Sequence, residues 1–329
     1  AEKKPGDTFN SFLLVRKVEE RTKRDGNPFL VLHLGDSSGR ITSTLWDNIE
    51  EWRTQLDPGR IVGIKGRVTS FRDRLQLKIE KMRFAKEEDA VSLNDFLPRG
   101  DIDISLLKQK LSTLIETVNR ECFQTLLRSI FDNRELAERF YTAPGGKLWH
   151  NAYIGGLLEH SLNVAAVCDT VADLYPEMDR DLLVTASLIH DIGKIDEYTL
   201  DMGYIEYSDR GRLEGHIVMG AERVRALIRE LPAFPEEAEK QLVHLILSHQ
   251  GKREHGSPVL PATQEAMVLY YADEMDSKAN ALRRISRRDG KEGEGWSSYI
   301  NLLERFIYLK KIKAEDDEPP VPGSLFEGL

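Results

Sequence analysis

The hydrophobic pattern of this 329-residue chain changes its period once, and that change limits the folds open to it. Over roughly the first 85 residues apolar side chains alternate, the spacing of half-buried strands. Beyond about residue 100 they recur at three-and-four spacing, that of amphipathic helices. Two cores of different architecture are therefore expected, which suits the length.

The first part reads as strands at Phe12–Val18, Phe29–Leu34 and Ile41–Trp46, a short helix at Asp47–Gln55, then strands at Ile61–Thr69 and Leu75–Phe84. Asp25-Gly26-Asn27-Pro28 and Gly35–Gly39 supply turn residues between them. Three strands, a helix and two strands is the order of the five-stranded OB barrel. The second part predicts helices at Ile104–Val118, Cys122–Phe131, Glu135–Tyr141, Tyr153–Leu174, Arg180–His190, Leu213–Glu230, Pro235–Gln250, Ala262–Arg288 and Trp296–Ile312. The polar stretch Asp196–Arg212 reads as a hairpin. The expected layout is a small all-β OB barrel over residues 1–86, an acidic linker over 87–102, a mainly α-helical domain over 103–313 and a flexible, Pro-containing tail over 314–329.

Charge divides along the same line. Residues 1–86 carry 18 Lys/Arg against 12 Asp/Glu, and the remainder 28 against 43, which together make the net −9 of the whole chain. A basic small domain beside an acidic large one suits a polyanion held by the first, although a plain solvated surface would look the same. No apolar run approaches the ~20 residues of a membrane span, and the first residues lack the apolar core of a secretory signal. Cys122 and Cys168 both fall in helical patterns, so no disulfide framework is expected and a cytoplasmic location fits.

The chemistry-bearing residues concentrate in the helical part. Six of the eight histidines lie between residues 150 and 249. His160 sits among Leu157, Leu158 and Leu162; His190 ends the apolar run Leu182–Ile189 and is followed at once by Asp191; Asp273 interrupts another apolar helix. One such residue alone reads more simply as a hydrogen-bonded core polar group. Together with His216 and His249 they make a ligand set of imidazoles and carboxylates, which suits Mn, Fe, Co, Ni or Zn better than a hard-cation cage.

The series His160, His190-Asp191 and Asp273 resembles the HD superfamily of metal-dependent phosphohydrolases. His216 and His249 resemble its variant with a second metal. That resemblance implies a first ion on His160, His190, Asp191 and Asp273, with Asp191 bridging to a second on His216 and His249. Paired histidines near the last position, usual with a third metal, are absent because Gln250 follows His249. Mn is the first expectation for the metal, with Co, Fe and Ni behind it. The barrel together with the runs H-N-A-Y-I-G-G-L-L-E-H-S, H-D-I-G-K and S-H-Q-G resembles the YhaM family of bacterial 3′-to-5′ exoribonucleases, from about Phe12 to Lys311.

The resemblance implies a metal-dependent exoribonuclease that degrades single-stranded RNA, and single-stranded DNA as a further candidate, to nucleoside monophosphates. Asp191 and Lys194 are the candidate catalytic residues: Lys194 is placed to meet a phosphate oxygen, or else to complement a helix end. His150 and Asp276 are open between a role beside the metals and a surface one. On the barrel, alternation points Leu30, Leu32 and Leu34 inward and Phe29 and His33 outward, where with Trp46 they could stack bases. Arg21, Lys23, Arg24, Arg72 and Arg74 in the flanking loops would meet phosphates. Two other readings use the same residues: a phosphohydrolase or phosphodiesterase of small nucleotides or cyclic dinucleotides, and a non-catalytic single-strand-binding protein with a structural metal. The sequence does not disclose whether the chain forms a homo-oligomer.

Overall fold

The computed structural model describes residues 4–71, 74–147, 150–289, 295–301 and 303–310. Five strands, β1 (Thr8–Thr22), β2 (Pro28–Gly35), β3 (Arg40–Leu45), β4 (Ile61–Phe71) and β5 (Arg74–Phe84), close a barrel in the order β1-β2-β3-β5-β4. Helix α1 (Ile49–Arg53) lies between β3 and β4 in the chain. A bulge between Val15 and Lys17 lets β1 pair with β4 through its first half and with β2 through its second, the bend that closure requires. A second bulge falls at Lys65/Gly66, where a side chain on Gly66 would strike the Lys78 carbonyl.

The expected alternation holds. Leu30, Leu32 and Leu34 are buried with Leu13, Val15, Val62, Ile64 and Leu77, while Phe29, Val31 and His33 are not. Closure between β3 and β5 is brief and parallel, through Thr42↔Gln76 and Ser43↔Leu77. The buried Ser43 hydroxyl donates to the Leu77 carbonyl at 2.5 Å and reinforces it.

The helices follow as α2 (Ile104–Glu116), α3 (Glu121–Phe131), α4 (Arg134–Thr142), α5 (Gly156–Leu174), α6 (Arg180–Ile189) and the short α7 (Lys194–Glu197). Next come the expected hairpin, β6 (Tyr198–Thr199) with β7 (Glu206–Tyr207), and α8 (Asp209–Leu213), α9 (His216–Glu230), α10 (Glu236–Ser248) and α11 (Gln264–Asp289). Side-chain caps fix several starts: Asp103 accepts from the backbone of Ser105 and Leu106, Asn133 from Leu136 and Asp179 from Leu182. Every residue from Leu182 to Ile189 in α6 is buried, and α5 buries most of its circumference. These two helices are therefore the centre of the helical core, and the polar groups they carry inward need partners.

By its internal contacts the chain divides into two compact units, Ala1–Ser277 and Lys278–Leu329. In the second, the helix expected over Trp296–Ile312 does not form among the described residues of that span. Trp296 bridges Tyr308 and Ile300 bridges Arg305 in antiparallel pairs, and Glu304 turns the chain at φ 50°. The rings of Trp296 and Tyr308 lie 5.0 Å apart and those of Tyr299 and Phe306 5.1 Å. Apolar spacing that suits a helix is here used for cross-strand aromatic pairs. The tail expected over 314–329 lies outside the described residues.

Candidate metal centre

His160 projects from the second turn of α5, His190 and Asp191 from the end of α6, His216 from the first position of α9, His249 from the end of α10 and Asp273 from α11. His190 and His249 use one local device: each follows the last residue of its helix and turns its Nδ1–H back to a carbonyl three residues earlier, Ser187 at 2.8 Å and Ile246 at 2.7 Å. Gly193 allows the start of α9 to come close, since a Cβ there would lie 2.0 Å from the His216 carbonyl. That approach brings His216 to Asp191.

The six side chains converge. His160, His190 and Asp191 offer ligand atoms within 4.8 Å of one another; so do His190, His249 and Asp273, and so do Asp191, His216 and His249. Asp191 faces both ways. Its Oδ2 is 3.5 Å from Nε2 of His160 and of His190, and its Oδ1 is 3.3 Å from His216 Nε2 and 3.5 Å from His249 Nε2. His160 Nε2 also lies 3.1 Å from Asp273 Oδ1.

Each imidazole has its other nitrogen fastened. His160 Nδ1 meets Asp276 at 2.7 Å and His216 Nδ1 meets Glu197 at 2.9 Å, alongside the two carbonyl contacts of His190 and His249. With Nδ1 donating, the Nε2 of a neutral ring presents a bare lone pair to the interior. The Nε2 atoms of His216 and His249 and the Oδ1 of Asp191 are buried and have no hydrogen-bond partner among the described residues. Lone pairs facing a carboxylate oxygen at these distances repel unless a cation lies between them. The donor set therefore fits divalent metal, with outward nitrogens oriented as metal-binding histidines require.

Among the chain's own groups, a proton on His160 meets the same need. Burial by itself raises the Asp191 carboxyl, but Lys194 and His190 hold it well below the usual range. Burial also opposes ionisation of Asp273, and the hydrogen bond from His160 overrides it. His160 is lowered by burial, yet Asp273 and Asp276 on its two nitrogens push it up to about 9. Lys194 is buried, its ammonium 2.6 Å from Asp191 Oδ2 and donating to the Gly145 carbonyl at 2.6 Å. It fastens Asp191 to the loop before α5 with two of its three N–H donors.

Asp276, left open by the sequence, is buried, bonding His160 and accepting from Asn163 at 3.0 Å. Glu197 was not singled out at all; its position six residues after Asp191 was the only signal. His150 stands beside the centre, its ring 5.7 Å from that of His160, with Nδ1 unpartnered among the described residues. Burial lowers its pKa to about 4, so the ring is neutral. Gln250 donates to Asp273 at 3.4 Å. His244 accepts from the Ala262 backbone at 3.0 Å and serves the fold.

On the barrel, Phe29 and Trp46 stack at 4.7 Å and 25°, Trp46 is 52% exposed, and the Lys23 ammonium stands 5.2 Å over the Trp46 ring. Arg24 and Arg74 are exposed. Arg21 and His33 are less free than expected: Glu19 takes Arg21 at 2.5 Å, Lys17 at 2.7 Å and His33 at 3.2 Å. The contacts of Lys17 and then Arg21 hold the Glu19 carboxyl down at about 2. Arg72 lies outside the described residues.

Residues 157–278 match the HD domain family, and residues 14–85 match the family described as OB-fold nucleic acid binding domain. Among curated proteins, the 3′-5′ exoribonuclease YhaM of Oceanobacillus iheyensis is 35% identical, over 85% of this chain and 87% of that protein. The proteins of that name from a Geobacillus species and from Bacillus subtilis are each 32% identical, over 93% and 92% of this chain and 93% and 95% of theirs. The chain belongs to the YhaM family. The similarity to the YhaM proteins spans both the barrel and the helical part. Among the described helices none is long and apolar enough to cross a membrane.

Proposed function

We propose that this chain is a metal-dependent 3′-to-5′ exoribonuclease that shortens single-stranded RNA and releases nucleoside monophosphates. In this reading residues 1–86 hold the strand and residues 103–313 carry the chemistry. The observation that carries it is the placement of Asp191 between two pairs of histidines whose outer nitrogens are all fastened. The relatives named above add the polarity and the polymer.

His160, His190, Asp191 and Asp273 would hold one divalent cation and Asp191, His216 and His249 a second, with Mn the first choice. Bound there, such ions supply charge neutralisation on a scissile phosphate and acidify an attacking water. The chain's own groups do the positioning. Asp276 and Glu197 set the ring orientation and raise the basicity of His160 and His216. Lys194 fixes the rotamer of Asp191. Neutral His150 is available to hydrogen-bond a phosphate oxygen or a sugar hydroxyl at the rim of the centre. On the barrel, Phe29 and Trp46 give a base an aromatic surface, and Lys23, Arg24 and Arg74 give phosphates a cationic margin. Two unpaired cysteines suit a reducing cytoplasm.

The test is a time course on 5′-labelled single-stranded RNA with Mn²⁺, beside single-stranded DNA of the same sequence. A ladder descending from the 3′ end, absent with Asp191→Ala, is expected. Intact RNA across Mn²⁺, Co²⁺, Ni²⁺ and Mg²⁺ would remove the nuclease reading and leave the small-nucleotide phosphodiesterase as the alternative.

A further inference from the structure

Where β1 and β2 meet the hairpin β6–β7, the molecule holds a cavity of about 430 Å³. Its walls are Arg16, Lys17, His33, Arg40 and Arg74 from the barrel and Lys147, Tyr204 and Glu206 from the helical domain. Five cations thus face one carboxylate. Glu206 is already engaged by Lys147 and by Arg212, the latter at 2.7 Å, and Lys17 is paired with Glu19. Arg16, Arg40 and Arg74 form no ion pair within 4.0 Å among the described residues, and the Asp36 carboxylate acts on Arg16 only from farther off.

Arg16 is the unusual member. It is half-buried, its guanidinium lies 5.3 Å over the Tyr204 ring, and among the described residues its hydrogen bond is a long one, 3.4 Å, to the Asp36 carbonyl. Its Nε is buried without a hydrogen-bond partner among the described residues. Gly35 leaves the room for it, since a Cβ there would come within 2.4 Å of that nitrogen. Burial, and after it the charge of Arg40, pull the Arg16 pKa below its usual value. A desolvated, underbonded guanidinium beside a like charge is stabilised by an anion.

The cavity is also a junction. His33 and Thr42, paired across β2 and β3, carry the outward face of Phe29 and Trp46 to its edge. On the far side, Lys147 belongs to the loop that also holds Gly145, bound by Lys194, and His150, set against His160. The basic wall thus adjoins both the outward barrel face and the loop beside the metal centre.

We propose that the cavity binds backbone phosphates of a single-stranded RNA between the barrel face and the metal centre, with Arg16, Arg40 and Lys147 as the phosphate-binding residues. The inference rests on the nuclease reading only for the direction of the strand; the binding it describes can be measured without catalysis.

The experiment is fluorescence anisotropy of a short 5′-fluorescein single-stranded RNA titrated with the full-length Asp191→Asn protein across a series of salt concentrations. Arg40→Gln with Lys147→Gln should weaken binding by about tenfold or more, and the dependence of log K on log salt should become shallower by about 0.7 for each phosphate contact removed. Arg40→Lys should restore most of the affinity. Removing equal charge at Arg128 and Arg229, on the outer faces of α3 and α9, should change neither quantity. Unchanged affinity and salt slope in the cavity variants, with a thermal midpoint equal to the parent's, would overturn the assignment. So would a parent protein that does not bind the RNA. Binding that responds to the cavity variants, while the protein with Asp191 intact leaves RNA uncut in Mn²⁺, would keep the cavity and discard the nuclease reading.

Discussion

In the barrel, the side chains offered to a nucleic acid alternate with the core. Leu30 and Leu32 are buried, while Phe29, Val31 and His33 between and beside them face outward. In the helical domain the reactive side chains are the core: His160, His190 and His249 are fully buried, and Asp191 nearly so. The period of a strand separates contact from packing, residue by residue. A helix buried on most sides cannot do that, so α5 and α6 put function and stability on the same surfaces. Changes on the barrel should therefore alter binding alone, and changes at the centre should alter activity, metal content and stability together.

The largest expected effect is at Asp191. Asp191→Ala should reduce the rate of RNA degradation by at least about 10³-fold, roughly 4 kcal/mol of barrier, and lower the metal content measured by mass spectrometry. Full activity in this variant would break the comparison at its strongest point. Removing metal by chelation should lower the thermal midpoint of the helical signal, because ligand at about 100 to 1,000 times its Kd adds roughly 3–4 kcal/mol. A midpoint indifferent to chelator would separate the centre from stability after all.

Smaller effects sharpen the contrast. Asp276→Ala and Glu197→Ala should each weaken metal binding by about 10–100-fold, read by competition with a chelating dye. Trp46→Ala should cost about 1–3 kcal/mol of RNA binding while leaving metal content and thermal midpoint unchanged; a fall in the midpoint would show that Trp46 packs the barrel instead.

The smallest concerns Asp196, which ties α4 to α9 through Arg139, at 2.5 Å, and Arg223. Burial opposes its ionisation, but Arg223 and then Arg139 hold its pKa below the usual value. The stability it adds is therefore full above the unfolded value of about 3.9 and fades as pH falls through the lower folded one. Asp196→Asn should cost about 2 kcal/mol at neutral pH and progressively less in acid. Urea unfolding at pH 7 and in acid, followed by helical signal, checks both the size and the sign.

The comparison also explains what could be read in advance. The order of strands and the inward set of Leu30, Leu32 and Leu34 follow from short-range alternation, and the structure repeats them. His160, His190 and Asp273 stand out because each is polar at or within an apolar helical run, whereas His216 and His249 stand out only through the resemblance to the HD superfamily. Asp276 could not be decided, since three-residue spacing from Asp273 suits a surface pair as well as a buried one; only the packing of α11 on α5 brings it to His160. Glu197 lay hidden for a similar reason, its role depending on how α9 starts against Gly193. The apolar residues of Trp296–Ile312 suit two periods, and the positive φ of Glu304 selects the bridged pairs over the helix.

By itself, then, the sequence determined which residue types could bind metal, which faces of the barrel strands would be buried and where one kind of core yields to the other. These depend on composition and on periodicity over a few neighbours. The tertiary structure alone decided that Asp191 divides its two oxygens between two pairs of histidines, that each imidazole has its outer nitrogen fastened, and that Arg16, Arg40 and Lys147 share a cavity. Those facts join residues tens of positions apart, and only the packing of helices against each other and against the barrel sets such distances.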